Sequence, residues 1–393
     1  MELNFKNKVL QFKGKHLFDL FKLTTSVIFL FLTTNLNAQA PKITSFTPTS
    51  GAVGATVTIT GTSFNTTPAN NIVFFGATRA TVTAATATGL IVTVPTGATF
   101  GAITVLKTGT SLAAYSTQFF NPTFSPNKSS ITTADIDAKV DFATDFAPVS
   151  VAIGDLDGDG KPDLVVANRN SNNVAVYRNT STSGLIAAGS FAKRVSFTTG
   201  NQPISVAIGD LDGDGKPDLA VANNTSNTVS IFRNTSTLGS ITSTSFAAKV
   251  DFTTGYFPSS VAIGDLDGNG KPDLAVANNN SSTVSVFRNT STSGSIVAGS
   301  FAAKVDFTTG TQPNSVAIGD LDGNGKPDLA VANFGSASVS VFRNTSTSGS
   351  IVAGSFAAKV DFTTGTQPNS VAIGDLDGDG KPYPAAANFF ENQ

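Results

Sequence analysis

The octapeptide Asp-Leu-Asp-Gly-Asp/Asn-Gly-Lys-Pro occurs five times, beginning at Asp155, Asp210, Asp265, Asp320 and Asp375, with 55 residues between starts. In the first four copies an Asp follows directly. Each of these loops then offers side-chain oxygens at positions 1, 3, 5 and 9: Asp155, Asp157, Asp159 and Asp163; Asp210, Asp212, Asp214 and Asp218; Asp265, Asp267, Asn269 and Asp273; Asp320, Asp322, Asn324 and Asp328. At position 7, Lys161, Lys216, Lys271 and Lys326 can add a backbone carbonyl while the side chain points away. Gly158 and Gly160 of the first copy can take positive φ, so the backbone can curl until the carboxylates converge. Carboxylates held that close repel one another unless a cation sits between them. Oxygen-only ligation at a flexible loop suits Ca²⁺ better than Mg²⁺. Asn269 and Asn324 keep the oxygen and lose a charge, which predicts weaker third and fourth sites. The fifth loop has Asp375, Asp377 and Asp379, but Tyr383 replaces the position-9 Asp, so it lacks one ligand.

The expected role of such an ion is structural. The chain has no Cys, and its single His and Met are His16 and Met1; the only Glu residues are Glu2 and Glu391. That composition excludes His general bases, Ser-His-Asp triads, Cys nucleophiles and zinc sites built on imidazole or thiolate. The loop is not an EF-hand either. Position 12 is Val166 on a predicted strand, where an EF-hand needs a bidentate Glu between two helices.

The elements that must position these loops are strands. Thr, Ser, Gly, Asn, Val and Phe dominate, and short alternating apolar runs are broken by Gly, Pro and Asn, which reads as all-β. Residues 1–40 read as a secretion signal. Lys6, Lys8, Lys13, Lys15 and Lys22 precede an apolar run from Val27 to Leu32 and a small-residue region ending at Ala40. The run is much shorter than the roughly 20 residues a membrane span needs. The reading predicts cleavage, no membrane span afterwards, and a secreted, extracellular or bacterial cell-surface protein. The remainder is mildly acidic, with no basic footprint for nucleic acid.

Residues 41–122 predict a small β-sandwich, with strands near Ile43–Thr47, Thr56–Thr60, Ile72–Phe75, Ala80–Thr83, Leu90–Val94 and Ala102–Lys107. The run from Ile43 to Phe64, ITSFTPTSGAVGATVTITGTSF, with Asn71–Gly76 and Ile91–Gly97, resembles an IPT/TIG domain. That resemblance implies an immunoglobulin-like fold with a spacing or binding role. Residues 123–136 read as a linker, and an array fills 137–393. In its third copy, Phe246–Thr254, Ser260–Ile263, Asp273–Ala277 and Thr283–Arg288 predict four strands per period, the pattern of a propeller blade.

Ser150–Leu164, SVAIGDLDGDGKPDL, and its copies resemble the FG-GAP/VCBS repeats, related to the blades of integrin α-subunits. The resemblance implies a β-propeller with one calcium loop per blade. Its expected job is adhesion or ligand binding, non-catalytic, with an extracellular protein or glycan as target. The rival is a carbohydrate-binding or accessory region of a polysaccharide-degrading enzyme whose catalytic domain lies outside this chain. The array is short: five Asp loops, but four copies of the Phe/Tyr-Arg-Asn strand. Val284–Pro327 matches Val339–Pro382 at 43 of 44 positions, as a recently expanded or truncated gene would. The missing strand predicts an open arc rather than a closed ring, with Lys139–Thr144 as the outer strand of an incomplete blade. Among the other recurrent residues, Phe142, Phe197, Phe252, Phe307 and Phe362 predict packing between blades. Arg178, Arg233, Arg288 and Arg343 either pair with an Asp or a carbonyl or stand as solvated strand ends, the second reading being favoured, and the Asn-Thr-Ser sequences at Asn179, Asn234, Asn289 and Asn344 read as sequons of little meaning.

Overall fold

In the computed structural model of the chain, residues 40–110, 112–123, 137–182, 185–377 and 381–389 are described. The leader, except Ala40, and the linker, except Thr123, lie outside them, as does Asp379. The first eight strands are β1 (Lys42–Thr47), β2 (Ser50–Ala52), β3 (Thr56–Thr62), β4 (Asn71–Phe75), β5 (Thr78–Ala85), β6 (Gly89–Thr93), β7 (Gly101–Lys107) and β8 (Leu112–Thr123). They connect in the order β1-β3-β6-β5-β4-β7-β8-β2, antiparallel except for β2 with β8. Alternation in β3, with Val57, Ile59 and Gly61 inward and the threonines outward, turns one face into the core. That core holds Phe46, Val57, Ile59, Phe75, Leu90, Val92, Ile103, Val105 and Phe120. The rings of Phe75 and Phe120 meet edge to face at 4.8 Å. The sequence reading missed β2 and the twelve-residue β8. The pairing of β8 with β7 shifts register between Ala102 and Thr104, which breaks the simple period-2 signal.

The array forms four four-stranded antiparallel blades and one two-stranded piece. The first blade is β9 (Pro148–Gly154), β10 (Asp163–Asn168), β11 (Asn173–Tyr177) and β12 (Val195–Thr198). The second is β13 (Pro203–Gly209), β14 (Asp218–Asn223), β15 (Thr228–Phe232) and β16 (Val250–Thr253). The third is β17 (Pro258–Gly264), β18 (Asp273–Asn278), β19 (Thr283–Phe287) and β20 (Val305–Thr308). The fourth is β21 (Pro313–Gly319), β22 (Asp328–Asn333), β23 (Ser338–Phe342) and β24 (Val360–Thr363), followed by β25 (Pro368–Gly374) and β26 (Tyr383–Asn388). Each blade therefore closes with the outer strand of the next sequence period. The central strands are buried on both faces, so Asp218–Asn223 and Asp273–Asn278 are buried throughout. Their Leu-Ala-Val-Ala core lets neighbouring blades approach.

One interface repeats along the array. Ala220, Ala222, Val229, Ile231 and Phe252 of the second blade meet Val261, Leu274, Val276, Phe287 and Phe301 of the third. Phe252 packs edge-on against Phe301 at 5.0 Å, as Phe197 does against Phe246. Inner strands are stitched together as well: the amides of Val206, Val261, Val316 and Val371 donate to Ser150, Ser205, Ser260 and Ser315 of the preceding blade. Phe197, Phe252 and Phe307 are buried between blades as expected, whereas Phe362 is exposed, with no third strand beside it in the last piece among the described residues.

The expected strand at Lys139–Thr144 is not formed. Residues 137–147 carry no strand and lie along the first blade, where Tyr177 donates to the Ala143 carbonyl and Phe142 meets Phe191 edge to face. Asp145 of this segment pairs with Arg194 and accepts from Asn173 and Ser196. It does for the first blade what Asp251, linked to Ser230 and Lys249, does for the second. Among the described residues no ladder joins this segment to β26.

Candidate metal centres and the cleft beside them

Each Asp loop joins an inner strand to the next strand of the same blade, so position 1 follows the end of one strand and position 9 opens its neighbour. In the first loop, Gly158 and Gly160 have φ of 75° and 84°, the left-handed turns that close it. The Gly160 amide donates to Asp155 (3.0 Å), the Asp159 amide to Asp157 (3.2 Å) and the Leu156 amide to Asp163 (2.9 Å). Leu156, 1% exposed, anchors the loop in the core.

These turns gather carboxylates from positions 1, 3 and 9. Asp155, Asp157 and Asp163 present oxygens within 4.8 Å of one another, and so do Asp210, Asp212 and Asp218; Asp265, Asp267 and Asp273; and Asp320, Asp322 and Asp328. Position 5 is not part of these clusters. Asp159, Asp214, Asn269 and Asn324 accept the amides of Lys161, Lys216, Lys271 and Lys326, which holds them on their own turn. The lysine side chains point away as expected: Lys216, Lys271 and Lys326 donate to the carbonyls of Ser236, Ser291 and Ser346. In the fifth loop Asp377 accepts from the Tyr383 hydroxyl at 3.4 Å, so the residue replacing Asp fills the position-9 place with a donor.

The electrostatics are those of a cation site. Burial pushes Asp163, Asp210 and Asp265 up to about 7 and Asp155 and Asp212 up to about 6, with neighbouring carboxylates adding to the rise. Asp218 and Asp273 are also raised well above the ordinary carboxylate range, again by burial first. Three oxygens in the first two loops, Asp155 Oδ1, Asp157 Oδ2 and Asp212 Oδ2, are buried with no hydrogen-bond partner. An unpartnered buried carboxylate oxygen is costly. An all-oxygen donor set with orphaned acceptors fits a hard cation, and these residues can hold one.

Three of the four recurrent arginines stand beside acids of the Asp loops, the pairing the sequence left open rather than the solvated strand end it favoured. Arg178 stands 4.0 Å from Asp157 and 3.9 Å from Asp159, Arg233 stands 3.9 Å from Asp214, and Arg343 bonds Asp322 at 2.5 Å. That bond holds the Asp322 carboxyl below its ordinary value. The Asn-Thr-Ser asparagines are buried, in keeping with sequons of little meaning, and they have a structural role that the sequence did not show. Asn234 is fully buried: its amide donates to Asp218 (2.7 Å), and its Nδ2 to the carbonyls of Pro217 and Leu156 (2.8 Å each). Leu156 belongs to the Asp loop of the preceding blade, so Asn234 ties two loops together. Asn289 and Asn344 do the same to Leu211 and Leu266. The signal in the sequence was the fixed 55-residue spacing of an Asn, which a surface sequon does not require.

The sandwich lies on the same face. The Asp155 amide donates to the Ala77 carbonyl and the Ala113 amide to the Gly270 carbonyl. Tyr115 is set among Asp265, Asp210 and Asp273, and burial, then these charges, raise its phenol well above the usual range. A cavity of about 600 Å³ lies between β7–β8 and the third and fourth Asp loops, lined in part by Tyr115, Phe119, Asp265, Asp267, Asp320 and Lys326. Nothing in the linear sequence pairs these residues.

The comparisons agree with this architecture. The FG-GAP-like repeat family matches residues 155–221, 210–276, 265–331 and 320–383, and the IPT/TIG domain matches 41–121. The chain belongs to the FG-GAP-like repeat proteins and carries an N-terminal IPT/TIG domain. Both families point to a binding or adhesion type of protein rather than a catalyst. No curated protein matches the chain. Among solved structures, an auxiliary nutrient binding protein from Bacteroides ovatus is similar at 12% identity and a TM-score of 0.30, covering 85% of this chain and 93% of that one. Its counterpart from Bacteroides thetaiotaomicron gives 11%, 0.27, 85% and 92%. A chain of the Chaetomium thermophilum Polycomb Repressive Complex 2 gives 11%, 0.37, 63% and 69%. Superpositions this loose say nothing about what the chain binds.

Proposed function

We propose that the chain is a secreted or cell-surface, calcium-stabilised, non-catalytic binding protein whose ligand is an extracellular protein or glycan. The observation that carries the calcium reading is the set of orphaned oxygens on Asp155, Asp157 and Asp212, inside carboxylate clusters that burial would otherwise drive toward protonation. Asp155, Asp157 and Asp163 would hold Ca²⁺ in the first loop, and their counterparts would do so in the next three. The ion would supply the countercharge that lets the loops close; the amides of Leu156, Gly160 and Asn179 orient the oxygens around it. Composition supports the non-catalytic reading, since His16, Glu2 and Glu391 are the only residues of their types. The cavity beside Tyr115 and Phe119 is of a size that accommodates a small ligand or the end of a larger one, at a domain junction where such sites concentrate.

The test is a screen of the purified protein against arrayed glycans and extracellular proteins, in Ca²⁺ and in chelator. Calcium-dependent retention with no turnover is the expected result. Hydrolysis of a polysaccharide, ester or peptide that a single Asp→Asn change abolishes would overturn it.

A further inference from the structure

One outer face of the sandwich is buried where a sandwich standing alone would leave it open to water. β3 alternates, with its threonines exposed, but all five residues of β4 are buried. Val73 and Phe75 serve the sandwich core, while Ile72 and Phe74 join Leu106, Ala113 and Tyr115 in a second apolar cluster on the opposite side of the sheet. That cluster rests on the Asp loops. Ile72 and Leu106 lie over Gly215 of the second loop, where an added Cβ would stand 2.5 Å from Ile72 Cδ1. The Ala113 amide donates to the Gly270 carbonyl of the third loop, and an added Cβ at Gly270 would stand 3.0 Å from the Ala113 oxygen. The corresponding Gly160 of the first loop meets nothing within 4 Å.

The two glycines under the sandwich also aim carboxylates. The Gly215 amide donates to Asp210 at 2.9 Å and the Gly270 amide to Asp265 at 2.8 Å. The sandwich therefore stands on the turns that orient the position-1 oxygens of these loops. Tyr115 faces Asp265, Asp210 and Asp273 across the same junction. The cavity of about 600 Å³ shares it: Tyr115 and Phe119 form one wall, and Asp265, Asp267, Asp320 and Lys326 belong to the other. An ion that draws the carboxylates together fixes the turns, and a seat that holds the turns favours the ion. Coupling of this kind is reciprocal.

We propose that cation binding at the second and third Asp loops locks the sandwich onto the array, and with it the sandwich wall of the cavity. Loss of the ion frees the seat at Gly215 and Gly270 and lets β8 move off the loops. This rests on the calcium reading above and adds to it the coupling between the ion, the seat and the cavity. The Ala113 amide is the natural reporter. Its acceptor is a carbonyl of the third loop, and it lies two residues from Tyr115 on the cavity wall.

Amide hydrogen exchange of the full chain, resolved at Ala113 and run in Ca²⁺ and in chelator, tests this alongside a calorimetric Ca²⁺ titration. The Ile103 amide, bonded to Ser116 inside the sandwich, and the Val206 amide, bonded to Ser150 between blades, are internal controls. Chelator is expected to speed exchange at Ala113 by about fivefold or more with both controls unchanged. The third and fourth loops share the same nine residues, DLDGNGKPD, so Asp267→Asn and Asp322→Asn make the same chemical change in two places. In Ca²⁺ the first should speed exchange at Ala113 and the second should not. By reciprocity, Ile72→Ser on the sandwich side should weaken Ca²⁺ uptake at two sites by about the same factor. Ca²⁺ uptake with equal exchange at Ala113 in both buffers would overturn the proposal and leave the calcium reading standing; no uptake would overturn both. If chelator unfolds the blades, as loss of protection at Val206 would show, the two Asn variants in Ca²⁺ decide, and equal rates at Ala113 overturn the proposal.

Discussion

Replacing Asn289 by Ala removes three hydrogen bonds and leaves the backbone in place. Its Nδ2 donates to the Leu211 carbonyl of the preceding blade (2.7 Å) and to Pro272 (2.8 Å), and its Oδ1 accepts the Ser291 amide (2.8 Å), all in a site 1% exposed. At about 1 kcal/mol for each buried bond the loss is about 3 kcal/mol. The Leu211 carbonyl keeps the Ser291 hydroxyl at 2.9 Å, so no full desolvation penalty is added there. The array supplies its own control. Asn179 makes the equivalent bonds to Pro162 and Ser181 but has no preceding blade to reach, so Asn179→Ala should cost about 2 kcal/mol. With an unfolding entropy of about 2.1 cal/mol/K per residue over a unit of this length, about 3 kcal/mol lowers the melting temperature by about 4 °C. The assay is thermal or urea unfolding of both variants in saturating Ca²⁺. Equal losses for the two would refute the claim that this asparagine couples adjacent blades.

Other consequences can be measured on the same preparation. Phe307→Ala, in a ring cluster with Phe342 and Phe356, should cost about 3–5 kcal/mol, whereas Phe362→Ala, at the same repeat position but 54% exposed, should cost well under that by the same unfolding assay. In chelator, stability should fall as pH rises. Asp163, Asp210 and Asp265 sit at about 7 in the folded chain against about 3.9 unfolded, so the folded state holds extra protons between those values. Their contribution is therefore most favourable below about pH 4 and is lost by about pH 7, and melting scans should show the slope reverse sign or flatten when Ca²⁺ is added. Asp212→Asn should stabilise the chain in chelator by about 1–2 kcal/mol once solvent screening is allowed for, raising the melting temperature, and should lower the melting temperature in Ca²⁺. A change of the same sign in both buffers would contradict the cation site.

Much of this was legible before any coordinates. The 55-residue period fixed the blades, the Gly spacing fixed the turn of each Asp loop, and alternation fixed most of the sandwich. Positions 1, 3 and 9 converge as the spacing implied. At position 5, Asp159 accepts the amide two residues on, as Asp157 does at position 3, and lies outside the cluster of three. Asn234 read as a sequon because a linear motif cannot show that Leu156, 78 residues earlier, lies beside it. Tyr115 was invisible for the same reason: its neighbours are charges from two different blades. The 139–144 segment carries the composition of an outer strand, yet a strand forms only where a partner ladder exists, and among the described residues no strand pairs with it.

The central claim is that the Asp clusters hold Ca²⁺ and that the folded array depends on it. Calorimetric titration of metal-free protein with Ca²⁺, paired with melting scans in Ca²⁺ and in chelator, tests it directly. Four clusters among the described residues predict uptake at several sites. Each site that binds only the folded state should add about 2.7 kcal/mol when free Ca²⁺ is about 100 times its Kd. Saturable uptake with a melting temperature raised by Ca²⁺ is the predicted result; no uptake and the same melting temperature in chelator would contradict it.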